Sequence, residues 1–368
     1  MSDRLPLIRE FHGTRSFGTK ENLVLQEEKA AELYRTLEPE EARELARSAL
    51  VSFDPSKSGG TEEILRNLAC LRPGTLDEFH STLVGLGIFY PPVIYQGGST
   101  EVVARILDGL PGENPDHMLL ALAWIGGDGV RDAFRSWRDA PPGWASGLHI
   151  PPHRYAEQAG WELTGEGTRR DLFVRTCHPL VQPGDEVRDA GIAGVVADHE
   201  ETCRWCDRGM TTLLDLDLAS PALAYLGLGG RRLRIATCDV CTCYGTVFTD
   251  IDMDGGSSWH EGNRKPGYLP DGTADWPRMR HDSLGFGDEP RPWLEAADWL
   301  VPGVRFSQVG GYPTWIQDAE YPCCPSCDRA MPFVAQISND DWDEYAEGIH
   351  YMFVCRDCGV AATSYQQS

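Results

Sequence analysis

The sequence predicts an α+β protein: a helical domain over residues 1–165 and a β-rich domain over 166–368. Three observations predict it. Apolar residues recur every three or four positions up to about residue 160. They alternate with polar residues in short runs after about residue 170. Ten of the twelve cysteines lie beyond residue 200, and eight of them form four Cys-x2-Cys doublets. A chain of 368 residues also exceeds one ordinary core, which favours two domains.

The helical stripes run in order. Thr61 is placed to cap a helix carrying Ile64, Leu65, Leu68 and Leu71. After the Pro73-Gly74 break come Leu76, Phe79, Leu83 and Leu86, then Val102, Val103, Ile106, Leu107 and Leu110. Met118 to Ile125 is apolar nearly all round and should be a buried helix. Val130, Ala133, Phe134 and Trp137 make the next stripe. Gly and Pro separate these segments. Short helices in series fit either a helical-repeat array of HEAT type or an irregular bundle.

The β-rich part reads from its alternation. Leu214, Leu216 and Leu218 interleave with Asp215 and Asp217, and Met331, Phe333, Ala335 and Ile337 alternate in the same way. Each run should be a strand with one buried face. Tyr244 to Thr249 reads as a further strand. Gly255 to Pro292 is rich in Gly, Pro, Asp and Trp and should be a long, mostly irregular connection, of the kind that serves function or covers a core.

Charge narrows the partners. Lys and Arg total 33 against 56 Asp and Glu, a net charge of −23. Such a surface repels nucleic acid and anionic membrane and attracts basic proteins, besides keeping the chain in solution. Residues 311–368 alone hold nine acidic residues and two arginines. The longest apolar stretch, Met118 to Ile125, is far short of the roughly 20 residues of a membrane span. Met1–Glu10 shows no apolar run after its charges, so the expected compartment is the cytoplasm. Disulfides are disfavoured there, and the cysteines need another explanation.

Their spacing supplies one. The doublets are Cys203/Cys206, Cys238/Cys241, Cys324/Cys327 and Cys355/Cys358. Each turn aims two thiolates at one point, and two turns complete a tetrahedral set suited to zinc. The sequence repeats itself around them. Cys203-Arg-Trp-Cys-Asp-Arg-Gly-Met210 matches Cys324-Pro-Ser-Cys-Asp-Arg-Ala-Met331 at five of eight positions, and each block leads to a second doublet. Two zinc-ribbon units follow, with two structural Zn2+ ions: 203/206 pairs with 238/241, and 324/327 with 355/358. Four thiolates leave no open position for water, so neither ion has a catalytic role. Cys243 and Cys323 each stand beside a ligand and could replace it. Cys70 and Cys177 have no partner doublet and read as small core residues.

Other chemistry is thin. Asp250-x-Asp252-x-Asp254-Gly255 followed by Glu261 matches the carboxylate spacing of a calcium loop. The flanks read as strand and turn rather than helices, so a solvated acidic turn fits better. No phosphate-binding glycine loop, GxSxG or HExxH is present. His149, His153 and His260 lack the partners a mechanism needs. No catalytic residue is assigned.

Gly310-Gly-Tyr-Pro-Thr-Trp-Ile-Gln317, Cys324-Pro-Ser-Cys327, Met331-Pro-Phe-Val-Ala-Gln-Ile337 and Phe353-Val-Cys-Arg-Asp-Cys358 form an ordered series. It resembles the bacterial YwqG-like family, with its Gly-Gly-x-Pro segment and later Gln-Ile strand. It is also similar to the C-terminal part of the programmed-cell-death-two type of eukaryotic protein. The resemblance covers about 305–360, one sixth of the chain. It implies non-enzymatic roles in gripping a protein: chaperoning a basic ribosomal protein in the eukaryotic relatives, immunity against toxins in the bacterial ones. Physically, Gly310-Gly311 permits positive φ or close backbone approach, and Trp315 either anchors the ribbon core, as a large aromatic usually does, or meets a partner. The leading expectation is thus a protein-binding module. The alternatives are a nucleic-acid-binding zinc ribbon, which the acidic charge opposes, and an enzyme using the 250–261 loop.

Overall fold

The computed structural model describes residues 4–13, 20–181, 187–189, 192–272, 284–287, 289–341 and 347–368. The chain is α+β and divides into two compact units: residues 1–171 with 294–304, and residues 172–293 with 305–368.

The first unit is helical. Its helices are α1 Arg4–Gly13, α2 Lys20–Arg35, α3 Pro39–Val51, α4 Gly59–Leu71, α5 His80–Leu86, α6 Thr100–Gly109, α7 Pro115–Ile125 and α8 Gly127–Asp139. A short hairpin, β1 Trp161–Leu163 with β2 Arg169–Asp171, closes the run. The apolar stripes fall on α4, α6, α7 and α8, with Leu110 just beyond α6, and on α7 six of the eleven residues are buried. The stripe from Leu76 to Leu86 is not one helix: Leu76 and Phe79 precede α5 in a short 3-10 turn, and Leu86 at the end of α5 is exposed. Thr61 does not cap α4. It is the third residue of the helix, buried, and its hydroxyl donates to the Ala49 carbonyl at 3.4 Å. Pro39 and the reciprocal Glu38/Glu41 capping box start α3 instead.

The segment 294–304 returns to this unit from far along the chain. Arg66, almost fully buried, meets Asp298 at 2.9 Å, and Arg35 meets Glu295 at 2.7 Å. Leu294, Ala296 and Val301 are buried there.

The second unit is built from strands: β3 Cys177–Val181, β4 Val187–Asp189, β5 Ala193–Thr202, β6 Gly209–Asp217, β7 Arg232–Thr237, β8 Val247–Ile251, β9 Ser257–Trp259, β10 Gly285–Gly287, β11 Gln308–Gly310, β12 Phe333–Ser338, β13 Ile349–Cys355 and β14 Val360–Gln366. Among the described residues they form a nine-stranded antiparallel sheet, ordered β4-β10-β3-β11-β12-β13-β14-β8-β9, and a three-stranded one, β5-β6-β7. Leu213, Leu214, Leu216 and Ile235 of the small sheet share one apolar cluster with Val309, Ile337, Met352 and Ala361 of the large one.

Two strand expectations change. The alternation over Met331 to Ile337 predicts one buried face, but all six residues of β12 are buried. The strand lies inside the nine-stranded sheet and is covered on both sides, so its polar Gln336 is buried too. Gln336 is satisfied: its amide donates to the Phe306 carbonyl and the Thr314 hydroxyl, each at 2.7 Å, and it accepts from the Thr314 backbone at 2.8 Å. On β6, Asp215 is largely buried, its side chain 17% exposed, and is gripped by Arg232 and Arg234. The 255–292 connection carries β9 and β10; its residues 273–283 and 288 lie outside the described set.

Gly310 and Gly311 meet both conditions read from the sequence. Their φ angles are 71° and 75°. A Cβ on Gly310 would stand 2.2 Å from the Thr176 carbonyl oxygen. Trp315 is buried and stacks on Tyr351 at 4.7 Å between ring centroids.

Candidate metal centres

Each centre is assembled from two turns. The first knuckle of each centre is the same turn made twice. The Cys203 amide donates to the Arg208 carbonyl at 2.7 Å, and the Asp207 amide to the Cys203 carbonyl at 2.8 Å. Cys324/Arg329 and Asp328/Cys324 repeat this at 2.9 and 2.8 Å. Asp207 and Asp328 both take a positive φ, 61° and 56°, which Asp tolerates better than most side chains. The second knuckle continues a strand: Cys238 follows β7 directly, and Cys355 is the last residue of β13. Gly359 then turns the chain with a φ of 64° into β14. The strands leaving the two second knuckles, β8 and β14, pair antiparallel.

The structure gathers Cys203, Cys206, Cys238 and Cys241 into one cluster and Cys324, Cys327, Cys355 and Cys358 into another, with all four sulfurs of each within 4.8 Å of one another. These are the pairings read from the repeat. Cys203 and Cys241 are 3.7 Å apart, Cys206 and Cys238 3.7 Å, and Cys327 and Cys355 3.8 Å. A tetrahedral ion with metal–sulfur bonds of about 2.3 Å sets its ligands about 3.8 Å apart. Disulfide sulfurs would stand at about 2.05 Å. The donor set and its spacing fit a soft divalent cation such as zinc, and two such ions can be held.

The thiols shift one another. Hydrogen bonds from Cys238 and Cys241 hold Cys203 down at about 4, while contact with Cys203 and Cys238 pushes Cys241 up. The Arg329 guanidinium lowers Cys327 to about 6, and Cys358, crowded by Cys327 and Cys355, rises to about 12. One acidic thiol beside reluctant ones is what four sulfurs do when packed together, and a cation relieves it by taking the place of the shared protons.

The remaining cysteines stand outside. Cys243 is exposed and turns its thiol to the Asp239 carbonyl at 3.5 Å, and Cys323 is exposed beside Cys324. Cys70 is buried on α4, and Cys177 is buried with its thiol 3.3 Å from Gln308 Oε1. Cys70→Ala should therefore leave metal content unchanged and Cys327→Ser should lose about one ion per chain. Elemental analysis of the two variants checks this, and equal losses would mean the ligand sets are wrong.

Sequence reasoning missed the ion pairs that tie each centre's knuckles together. Arg208 forks onto Asp239 with two contacts of 3.0 Å, both side chains fully buried. Arg329 reaches Asp357 at 2.6 Å in the open. The signal was the Asp-Arg dipeptide after the second cysteine in both copies of the repeat.

Among the described residues the calcium-like carboxylates form no group that could hold a metal ion. Asp250 is on β8 and Glu261 follows β9; Asp252 and Asp254 lie in the turn between the strands, where Asp252 accepts from the Asp254 and Gly256 amides at 2.9 and 2.8 Å. Asp254 pairs with Arg231, Asp250 faces His260, and Glu261 meets Arg204. This is an acidic hairpin turn closed on its own backbone. His149, His153 and His260 lie outside both cysteine clusters.

Fold and site together define a two-unit α+β protein with two four-cysteine centres able to hold metal ions. The chain is 38% identical over 343 residues to the uncharacterized protein YpfL of Salmonella typhimurium, an alignment covering 92% of this chain and 80% of the relative. It belongs to the YpfL family. No family model and no solved structure matches it. No described helix is long and apolar enough to cross a membrane.

Proposed function

We propose that the chain is a zinc-stabilised protein-binding module of the cytoplasm, without enzymatic activity, whose acidic surface grips a basic protein. The observation that carries the metal half is the pair of complete four-thiol sets at tetrahedral spacing. Cys203, Cys206, Cys238 and Cys241 would hold one zinc ion, and Cys324, Cys327, Cys355 and Cys358 the other. The metal supplies cross-linking of the knuckles, because four protein ligands leave no position for a substrate or water. What supports the binding half is the charge of −23, which favours a cationic partner and opposes phosphate backbones. The similarity of residues 305–360 to the YwqG-like and programmed-cell-death-two type proteins supports the same reading.

Protein purified without added metal should contain two zinc ions per chain by elemental analysis. A value near zero, with the cysteines recovered as disulfides, overturns the metal half. Pull-down from native lysate should recover a basic protein. Its binding should weaken in moderate salt, since facing charges are screened within about 8 Å at physiological ionic strength. Recovery of nucleic acid, or salt-insensitive binding, overturns the partner half.

A further inference from the structure

The two centres repeat one turn but not one environment. Of the four residues lying between paired cysteines in the first centre, Trp205, Asp239 and Val240 are buried and only Arg204 is exposed. In the second, Pro325, Ser326, Arg356 and Asp357 are all exposed. In the first centre Cys203, Cys238 and Cys241 sit at 0% exposure and Cys206 alone is partly exposed; in the second, Cys327 and Cys358, one on each knuckle, are both partly exposed.

The first centre has a cover, and it comes from the long connection after β8. Trp259 meets Trp205 edge to face at 5.4 Å. Leu269 joins the same apolar cluster with Met210, Val240 and Val247. Lys265 ties the connection down by donating to the Trp205 carbonyl at 2.8 Å. The ion pair across this centre is buried as well, with side chains 2% and 3% exposed; the matching pair at the second centre is 50% and 71% exposed.

We infer that the second centre, Cys324, Cys327, Cys355 and Cys358, is an exchangeable metal site open to chelators and thiol reagents, while the first keeps its ion as long as the unit is folded. This rests on reading both clusters as metal centres. Removing an ion from four thiolates requires an incoming ligand to reach the metal or one of its sulfurs. At the first centre only Cys206 is partly exposed; the other three sulfurs lie under the tryptophan cover and beside the buried ion pair, so displacing the ion needs a local unfolding event. At the second, Cys327 and Cys358 already reach solvent. The consequence is confined to a definite place. Cys355 ends β13 and Cys358 precedes the turn into β14, so the metal state of this centre sets the order of a turn in the middle of the nine-stranded sheet. A chain built this way senses the zinc and thiol balance around it without losing its first centre.

The test uses the full chain with its metal content measured beforehand. Mixing with the chromogenic chelator 4-(2-pyridylazo)resorcinol should release zinc in two phases of one equivalent each. The first should be at least about tenfold faster, since it skips the local opening that limits the second. Iodoacetamide added between the phases, followed by peptide mapping, should label Cys327 and Cys358 and spare Cys203, Cys206, Cys238 and Cys241. Cys243 and Cys323 are exposed, label from the start, and serve as the reference. Cys327→Ser should abolish the fast phase and leave the slow one; if that variant does not fold, the map on the unaltered chain decides alone. With two ions bound, a single phase for both, or early label on the first cluster, overturns this inference and leaves the metal reading standing. A chain without metal overturns both.

Discussion

Strong chelation under reducing conditions should dismantle the second unit and leave the helical unit folded. Structural zinc contributes on the order of 10–16 kcal/mol of apparent binding free energy in small zinc domains. A whole domain is stable by only about 5–15 kcal/mol. A unit whose two sheets run directly into four cysteine knuckles cannot lose both ions and keep its margin. The first unit holds no cysteine cluster among its described residues, and its core of Leu45, Leu65, Leu68, Leu119, Leu122 and Phe134 is independent of the metal. Limited proteolysis with and without chelator should then yield a resistant fragment ending near residue 171. Residues 294–304 should be protected with it for as long as Asp298 stays on the buried Arg66. Equal resistance of residues 172–293 in the presence of chelator would contradict a structural role for the metal.

Much of the second unit's chemistry was legible because a repeat is visible in one dimension. Five matched positions around Cys203 and Cys324 were enough to pair the doublets, and the structure gathers those same eight sulfurs. The choice between Cys241 and Cys243 was not legible. It is made by the short 3-10 turn Cys241–Cys243, which leaves the second thiol at the surface. The helices from α4 onward showed their stripes because Ile, Leu, Val and Phe line them. Among the described side chains of α2 and α3 the buried positions are largely Ala30, Ala31, Ala42, Ala46 and Ala49, whose small side chains make a faint periodicity. The return of 294–304 to the helical unit depends on Arg66 and Arg35 finding acids more than 200 residues away, which no local pattern encodes. The depth of β12 was hidden for a related reason: alternation predicts one buried face, and only the strand order shows that both are covered.

The two knuckle ion pairs offer a direct comparison, because the same Arg at the same place in one repeat is buried in one copy and exposed in the other. Arg208→Ala should destabilise the second unit by about 3–5 kcal/mol, since it leaves the Asp239 carboxylate buried without its forked partner. That is a large part of a margin of about 5–15 kcal/mol. Arg329→Ala removes a partner that water replaces, and its unfolding midpoint should stay close to that of the unaltered chain. The loss at Arg208 is a desolvation cost and not the net value of the pair, so removing both charges should undo most of it. Arg208→Met combined with Asp239→Leu should recover much of the stability lost by Arg208→Ala alone. Thermal or denaturant unfolding of the metal-loaded chain measures all three. Equal effects at Arg208 and Arg329 would mean that burial does not separate the two copies of the repeat. A double variant no better than Arg208→Ala would mean that the pair itself, and not the stranded carboxylate, holds the first centre closed.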